Sequence, residues 1–200
     1  MVEKVAGIVL AAGGSTRMGQ SKAVLKLGKR SFLELVIRSL RAGGCGEVVV
    51  VVPPERPQEI DAVASRCRAH LAENGLEHAE QVDSLRVGLH HLRGFDPAAV
   101  VVAPVDVPGF SSHTVRALIS EFRTSGAGLV LPVHGGQPGH PTLFARALFG
   151  ALMTRALAQG ARTVIERHAG EVAEVAVADP GVLRDVDTPA ELEELRESLK

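Results

Sequence analysis

Five short runs along the chain are apolar at nearly every position: Val5–Ala12, Val48–Val52, Val100–Pro104, Leu129–Val133 and Val172–Ala178. Each is bounded by Gly, Pro or Asp, and a strand that lacks polar alternation is one covered on both faces. Between these runs the apolar positions recur at helical spacing. The segment Ser31 to Ala42 opens with Ser31 and Glu34 in capping-box spacing, carries Phe32, Leu35, Val36 and Leu40 on one face, and stops at Gly43-Gly44. Further helices are expected at about Gln58–Glu73, Asp83–Leu92, His113–Thr124, Ala145–Leu157 and Ala190–Leu199. The last is the best marked, because Thr188-Pro189-Ala190-Glu191 supplies a capping hydroxyl, proline at the first helical position and an early glutamate. Strands alternating with helices predict an α/β, three-layer α/β/α, Rossmann-like fold with a mainly parallel sheet built from right-handed crossovers.

Composition narrows the class. A chain of 200 residues with no internal repeat, low-complexity tract or linker is expected to be a single domain over 1–200. At 46% apolar and 22% charged it has the make-up of a folded globular protein and not of a disordered one. The net charge of -1, without a long basic run, argues against nucleic acid or an anionic membrane as partner. There is no Trp or Tyr, so stacking platforms for bases or sugars are scarce. The apolar runs fall well short of the roughly 20 residues that span a bilayer, and the acid at Glu3 does not suit a cleaved secretory leader, so a cytoplasmic location is expected. Cys45 and Cys67, with no Cys-x-x-Cys spacing, read as reduced and inert thiols.

The chemistry concentrates after the first strand, in Leu10-Ala11-Ala12-Gly13-Gly14-Ser15-Thr16-Arg17-Met18-Gly19, with Lys22 three residues beyond. Small residues let backbone amides approach an anion, and Arg17 and Lys22 add positive charge, so the loop suits phosphates. Gly14 and Gly19 have Walker spacing, but Gln20 stands where that loop needs lysine, and no Gly-x-Gly-x-x-Gly occurs. The plainer reading is a glycine-rich connection whose Arg and Lys are merely solvated. Asp106, between Pro104 and Pro108 at the end of an apolar strand, would face the same crevice as the glycine loop. A carboxylate beside a triphosphate points to Mg2+. Asp187, in Asp185-Val186-Asp187-Thr188-Pro189, could supply the second ligand while Asp185 turns to the other side; alternatively one of these acids complements the last helix. Of the eight histidines only His140, in Gly139-His140-Pro141, sits in a loop suited to ligand contact. Gln81 to Leu89 opens a helix with polar groups, either as capping by Asp83 or as a hydrogen-bonding edge for a ligand.

These residues resemble the MobA-like nucleotidyltransferases, and within them the MocA-type molybdenum cofactor cytidylyltransferase branch. The resemblance rests on Leu10 to Gly13 with Ser15, Arg17-Met18-Gly19 and Lys22; Ser84-Leu85-Arg86-Val87-Gly88-Leu89; Asp106 with Pro108; Gly139-His140-Pro141; Gly160-Ala161-Arg162; and Asp185 to Pro189. It spans nearly the whole chain and implies a nucleotidyltransferase fold. Carried over by position, it implies that Leu10, Ala11, Ala12, Gly13, Gly14 and Ser15 hold base and phosphates, with Ser84 near the base. Arg17 and Lys22 would neutralise the triphosphate and act in catalysis with Asp106. Asp106 and Asp187 would bind magnesium, and the His140 loop would face the acceptor.

The Ala-Ala-Gly opening resembles the cytidine-using branch, where guanosine-using relatives have Ala-Gly-Gly, and so implies CTP. The implied reaction moves a nucleoside monophosphate from CTP to a phosphorylated acceptor, molybdopterin in the first instance, with pyrophosphate released and a molybdoenzyme or chaperone downstream. Two departures bear on the acceptor: Val105 and Val107 flank Asp106 where Asp-Met-Pro or Asp-Gln-Pro is usual, and Gly75 to Gln81 lacks the usual basic residues. Competing readings are transfer to a sugar 1-phosphate or other phosphorylated alcohol, a glycosyltransferase using Asp185-Val186-Asp187 as its metal motif, and a non-catalytic nucleotide-binding chaperone.

Overall fold

Alternate residues of the apolar runs point to opposite faces of one sheet, and helices cover both faces. The computed structural model describes residues 3–13, 20–76, 80–154, 157 and 160–197. In chain order, β1 (Val5–Leu10) leads to a small hairpin, β2 (Lys26–Leu27) and β3 (Arg30–Ser31), and then to α1 (Phe32–Gly43). β4 (Glu47–Val52), α2 (Gln58–Arg66), β5 (His70–Glu73), α3 (Gln81–His91), β6 (Ala99–Pro104) and α4 (Ser112–Ser125) follow. The second half holds β7 (Leu129–His134), β8 (Gln137–Pro138), β9 (Thr142–Ala145), α5 (Phe149–Met153), α6 (Ala161–Arg167), β10 (Val172–Ala176) and α7 (Pro189–Glu197).

The main sheet has the order β10-β7-β9-β6-β1-β4-β5, with β8 as an appendage of β7. β5, β4, β1 and β6 are parallel, as are β7 and β10, and β9 alone of the central strands runs antiparallel, between β6 and β7. The mainly parallel three-layer architecture is therefore the expected one. Within β4, Val48, Val50 and Val52 enter the core shared with α1, α2 and α4, while Val49 and Val51 enter the core shared with α3, α5 and α6. All five are completely buried, and that double burial is why the strand reads as uninterrupted valine.

Several helix ends follow from local chemistry. Ser31 caps α1 by accepting from the Glu34 amide at 3.2 Å, and Gly44 closes it with φ 117°, a conformation that favours glycine. Glu34 does not complete the box; its carboxylate turns to Arg38 and, across to α2, Arg66. The buried stripe of α1 is Phe32, Leu33, Val36, Ile37 and Leu40, so Leu35 lies at its margin and not on it. Thr188 and Glu191 cap α7 reciprocally: Thr188 Oγ1 accepts from the Glu191 amide at 3.3 Å, and Glu191 Oε2 accepts from the Thr188 amide at 2.8 Å. Neither Asp185 nor Asp187 is needed for that cap.

Three expectations are corrected. The helix from Gln58 ends at Arg66, where Arg68 adopts φ 54°, and His70–Glu73 becomes edge strand β5 beside β4. The helix expected over Ala145–Leu157 shrinks to a short turn and the brief α5, because Ala145 is the last residue of β9, which completes the ladder between β6 and β7. α6 at Ala161–Arg167 lies where only a motif was recognised. Cys45 and Cys67 are free, and burial pushes the Cys45 thiol up to about 12, which keeps it protonated and inert. No helix among the described residues is long and apolar enough to cross a membrane.

Asp179 fastens the start of α4 to the turn at Pro180–Leu183. Its Oδ2 accepts from Thr114 Oγ1 at 2.6 Å and from the Ser111 amide at 2.8 Å, and its Oδ1 from the Gly181 amide at 3.2 Å. Burial alone would raise this carboxyl, but the hydrogen bonds from Thr114, Ser111 and Gly181 outweigh it and hold the pKa below the ordinary aspartate value. Replacement of Asp179 by Ala is expected to cost about 2 kcal/mol and lower the melting temperature by about 4–8 °C. Because the folded pKa is depressed, this contribution is complete above the unfolded aspartate value of about 3.9 and is lost as pH falls through the folded one. Thermal unfolding of both proteins across pH 3 to 7 should therefore show their difference shrinking at the acid end.

Candidate active site

The strand order places a crevice between β1 and β6. From β1 the chain moves outward to β4 and β5, then returns to lay β6 on the other flank of β1, so the connections leaving the carboxyl ends of β1 and β6 diverge. Both strands continue their ladders one residue past their ends: the Ala11 amide donates to the Val51 carbonyl at 2.9 Å, and the Val105 amide to the Leu10 carbonyl at 3.1 Å. Ala11, Ala12 and Gly13 are thereby held beside Val105 and Asp106. A Cβ added at Gly13 would meet no described atom within 4 Å, so the backbone there is bare toward the crevice.

The carboxyl-terminal turn joins this crevice through its backbone, since the Val186 amide donates to the Asp106 carbonyl at 2.9 Å and the Val186 side chain is buried. On either side of that anchor, Asp187 turns toward Lys22, while Asp185 lines an adjoining cavity with Asp106 and His140. Lys22 Nζ lies 3.1 Å from Asp106 Oδ2 and is also hydrogen-bonded to Asp187 Oδ1. Its position is set by Ala23, buried in the next position of the same short turn and part of the core under α1. Burial disfavours the Lys22 ammonium, but the hydrogen bonds and charges of Asp187 and Asp106 outweigh that and hold its pKa above the ordinary lysine value. At neutral pH Lys22 is thus a fixed cation beside two carboxylates.

Two cavities meet at Leu10, Glu80, Gln81 and Pro104. The smaller, about 190 Å³, is lined by Leu10 to Gly13, Lys22, Ser84 and Asp106. The larger, about 630 Å³, is walled mainly by apolar groups such as Val82, Leu131 and Phe144, with Glu80, Gln81, His140, Thr142 and Arg162 as its polar members. Helix α3 divides them. It lies tight against β1 because Gly88 has no side chain: a Cβ there would stand 2.7 Å from Ile8 Cγ2. Ser84 is buried and accepts from Asn74 Nδ2 at 3.1 Å, which fixes its hydroxyl at the inner wall of the smaller cavity.

His140 is carried by a loop whose backbone is bonded on both sides, the Gly139 amide to Pro132 and the His140 amide to Val182 at 2.8 Å. A Cβ at Gly139 would collide with the Val182 carbonyl oxygen at 2.4 Å, so only glycine lets the loop lie there. The imidazole faces the cavities. Desolvation by the surrounding protein lowers its pKa, against a partial opposing pull from Asp106 and Asp185, so the ring is neutral at physiological pH.

The structure therefore brings Leu10, Ala11, Ala12, Gly13, Lys22, Ser84, Asp106 and Asp187 to one crevice, with His140 at its border. Gly14, Ser15 and Arg17 lie outside the described residues. Gln81 opens α3 as a cavity residue, two positions before the expected helix start, and Asp83 is the third residue of the helix, where its Oδ2 accepts from the Glu80 amide at 3.1 Å. Sequence reasoning missed Glu80, Asn74 and Phe144. Asn74 follows β5, which reads as the end of a helix, and Phe144 lies in β9, just ahead of the helix expected from Ala145.

Asp106 and Asp187 already share one cation, the Lys22 ammonium, so two carboxylates from distant segments can face a single positive centre. Among the described residues no group of three or more His, Cys, Asp or Glu side chains gathers to hold a metal. A site with two carboxylates suits a hard divalent ion that completes its shell with phosphate oxygens and water.

Known proteins are similar to this chain. A probable molybdenum cofactor guanylyltransferase of Natranaerobius thermophilus is 29% identical over 136 residues, 68% of this chain; the chain spans 63% of that relative's length. The nicotine blue oxidoreductase of Paenarthrobacter nicotinovorans is 29% identical over 196 residues and 92% of each chain. The fold is also that of Rv0371c from Mycobacterium tuberculosis, solved in complex with manganese, with a TM-score of 0.75 and 24% identity over 98% of this chain and 99% of that one. The model of the MobA-like NTP transferase domain matches residues 7–172, from the first strand to the start of the last, and the chain belongs to that nucleotidyltransferase family.

Proposed function

We propose that this protein transfers a nucleoside monophosphate, CMP from CTP in the favoured reading, to a phosphorylated acceptor, molybdopterin first among them, and releases pyrophosphate. The observation that carries the reading is the meeting of Lys22, Asp106 and Asp187 at the carboxyl ends of β1 and β6, beside the bare backbone of Gly13. The names of molybdenum cofactor guanylyltransferases among the relatives support the acceptor. They also support GTP as the alternative donor, against which stands the Ala11-Ala12-Gly13 form of the loop.

In this mechanism an acceptor phosphate oxygen attacks the α-phosphorus. The new P–O bond forms as the bond to the β-phosphate oxygen breaks, and the electron pair leaves with pyrophosphate. A phosphate monoester with a second pKa near 6 is about nine-tenths dianion at neutral pH, so no general base is needed. The barrier is the meeting of two anions. Lys22 supplies fixed positive charge and the glycine turn supplies backbone donors, while Arg17 is assigned the second cation. Asp106 and Asp187 would hold the divalent ion, which supplies Lewis-acid charge neutralisation when bound. Manganese in the Mycobacterium tuberculosis structure supports a divalent metal; magnesium is the ion we assign.

The smaller cavity, with Ser84 fixed by Asn74 and Gln81 at its mouth, is assigned to the nucleotide, and the larger one to the acceptor. The larger cavity's mainly apolar walls, with polar side chains at a limited number of points, suit a flat heterocycle with polar edges. His140, which lines that cavity and whose pKa is lowered by desolvation, would meet the acceptor through a hydrogen bond.

The decisive assay is pyrophosphate release from each triphosphate with magnesium and molybdopterin. Turnover with CTP above GTP is expected, and CTP binding that a metal chelator weakens; tighter GTP binding would reverse the donor. Oxidation or reduction of nicotine blue without pyrophosphate release would instead favour the activity named for the Paenarthrobacter relative. Replacing Asp106 by Ala is expected to lower kcat by at least about 100-fold while the melting temperature stays within about 2 °C of wild type. Turnover that survives at saturating magnesium would remove Asp106 from the assigned role.

A further inference from the structure

Arg86 lies on α3 between the two cavities yet lines neither. Its guanidinium is mostly buried and forked across three partners: Nε donates to the Leu152 carbonyl at 3.2 Å, Nη2 to the Thr154 carbonyl at 2.5 Å, and Nη1 to Asp83 Oδ1 at 2.7 Å. The two carbonyls lie at the carboxyl end of α5, a five-residue helix where the Thr154 hydroxyl donates to the Gly150 carbonyl at 3.1 Å, and the guanidinium satisfies two further acceptors of that end. On its other side Asp83 accepts from the amide of Glu80, a residue that lines both cavities. One side chain thus joins the front of α3 to the end of α5.

What lies downstream of α5 gives this link its consequence. Leu152 of α5, Leu157 and Val164 of α6 pack in one buried cluster with Val82 and Leu85 of α3, and the Gly160 amide donates to the Leu157 carbonyl at 3.2 Å. Gly160, Ala161, Arg162 and Ile165 form the far wall of the larger cavity, facing Val82 and Leu85. We infer that Arg86 is a positioning residue that sets the width of the acceptor cavity, by holding the α5–α6 wall at a fixed distance from α3, without touching either substrate. The inference rests on the assignment of that cavity to the acceptor.

The test uses Arg86→Lys, which keeps the charge beside Asp83 but cannot span two carbonyls with one ammonium, and Arg86→Ala as the stronger lesion. Hydrogen exchange of the protein without ligands is expected to quicken by at least tenfold over 161–167 in both variants, while β1 and β6 exchange as in wild type. With CTP, magnesium and molybdopterin, KM for molybdopterin should rise about tenfold, with KM for CTP and kcat within twofold. Unchanged exchange over 161–167 overturns the inference, as does faster exchange throughout the chain or an equal rise in both KM values. If Arg86→Ala does not fold, Arg86→Lys alone decides on the same readings. Absence of wild-type turnover with molybdopterin would count against the proposed acceptor alone, and the exchange measurement would still decide whether Arg86 holds the wall.

Discussion

The hydrogen bond from the Val186 amide to the Asp106 carbonyl ties together the two segments that carry the acids of the site and that lie far apart along the chain. Asp106 belongs to the switch point between β1 and β6, and Val186 to the turn that follows the last strand. Once their backbones are joined, Asp106 and Asp187 must share one small volume. Two carboxylates so placed repel each other, and a cation between them relieves the repulsion. Lys22 supplies it, held from below by the buried Ala23.

The surroundings serve that arrangement in a graded way. β1, β4 and β6 contribute an almost incompressible floor, because valines and isoleucine pack from both faces with no exposed surface. Above the floor, glycine appears where backbones must approach: Gly88 lets α3 settle on β1, and Gly139 lets the His140 loop lie against Val182. The two cavities that result differ in character. One is small and ringed by backbone, cation and acid, as a phosphate group requires; the other is larger and mostly apolar, as a ring system requires. The proposed donor and acceptor sites follow from that difference.

The α5–α6 region shows how a cavity wall can be built from short elements. Neither helix is long enough to be stable by itself, and both depend on packing against α3 and on groups that satisfy their ends. Arg86 provides one such group, and Gly160, with φ 59°, starts α6 in a conformation that favours glycine.

Much of this was legible along the chain. The five apolar runs fall on β1, β4, β6 and β7, where double burial leaves an unmistakable pattern, and on the half-buried edge strand β10, and the capping residues marked the starts of α1 and α7. Asp106 and Lys22 stood out because charge at the end of an apolar strand or beside a glycine turn is itself a local signal. β5 and β9 were not legible: four-residue strands carry too little periodicity, and their helix-tolerant residues were drawn into the sheet only by partners distant in sequence. The sequence by itself therefore determined the layers and the family. Tertiary structure decided which acids meet, which cavity adjoins which, and what Arg86 holds, since those depend on contacts between segments more than sixty residues apart that no local pattern records.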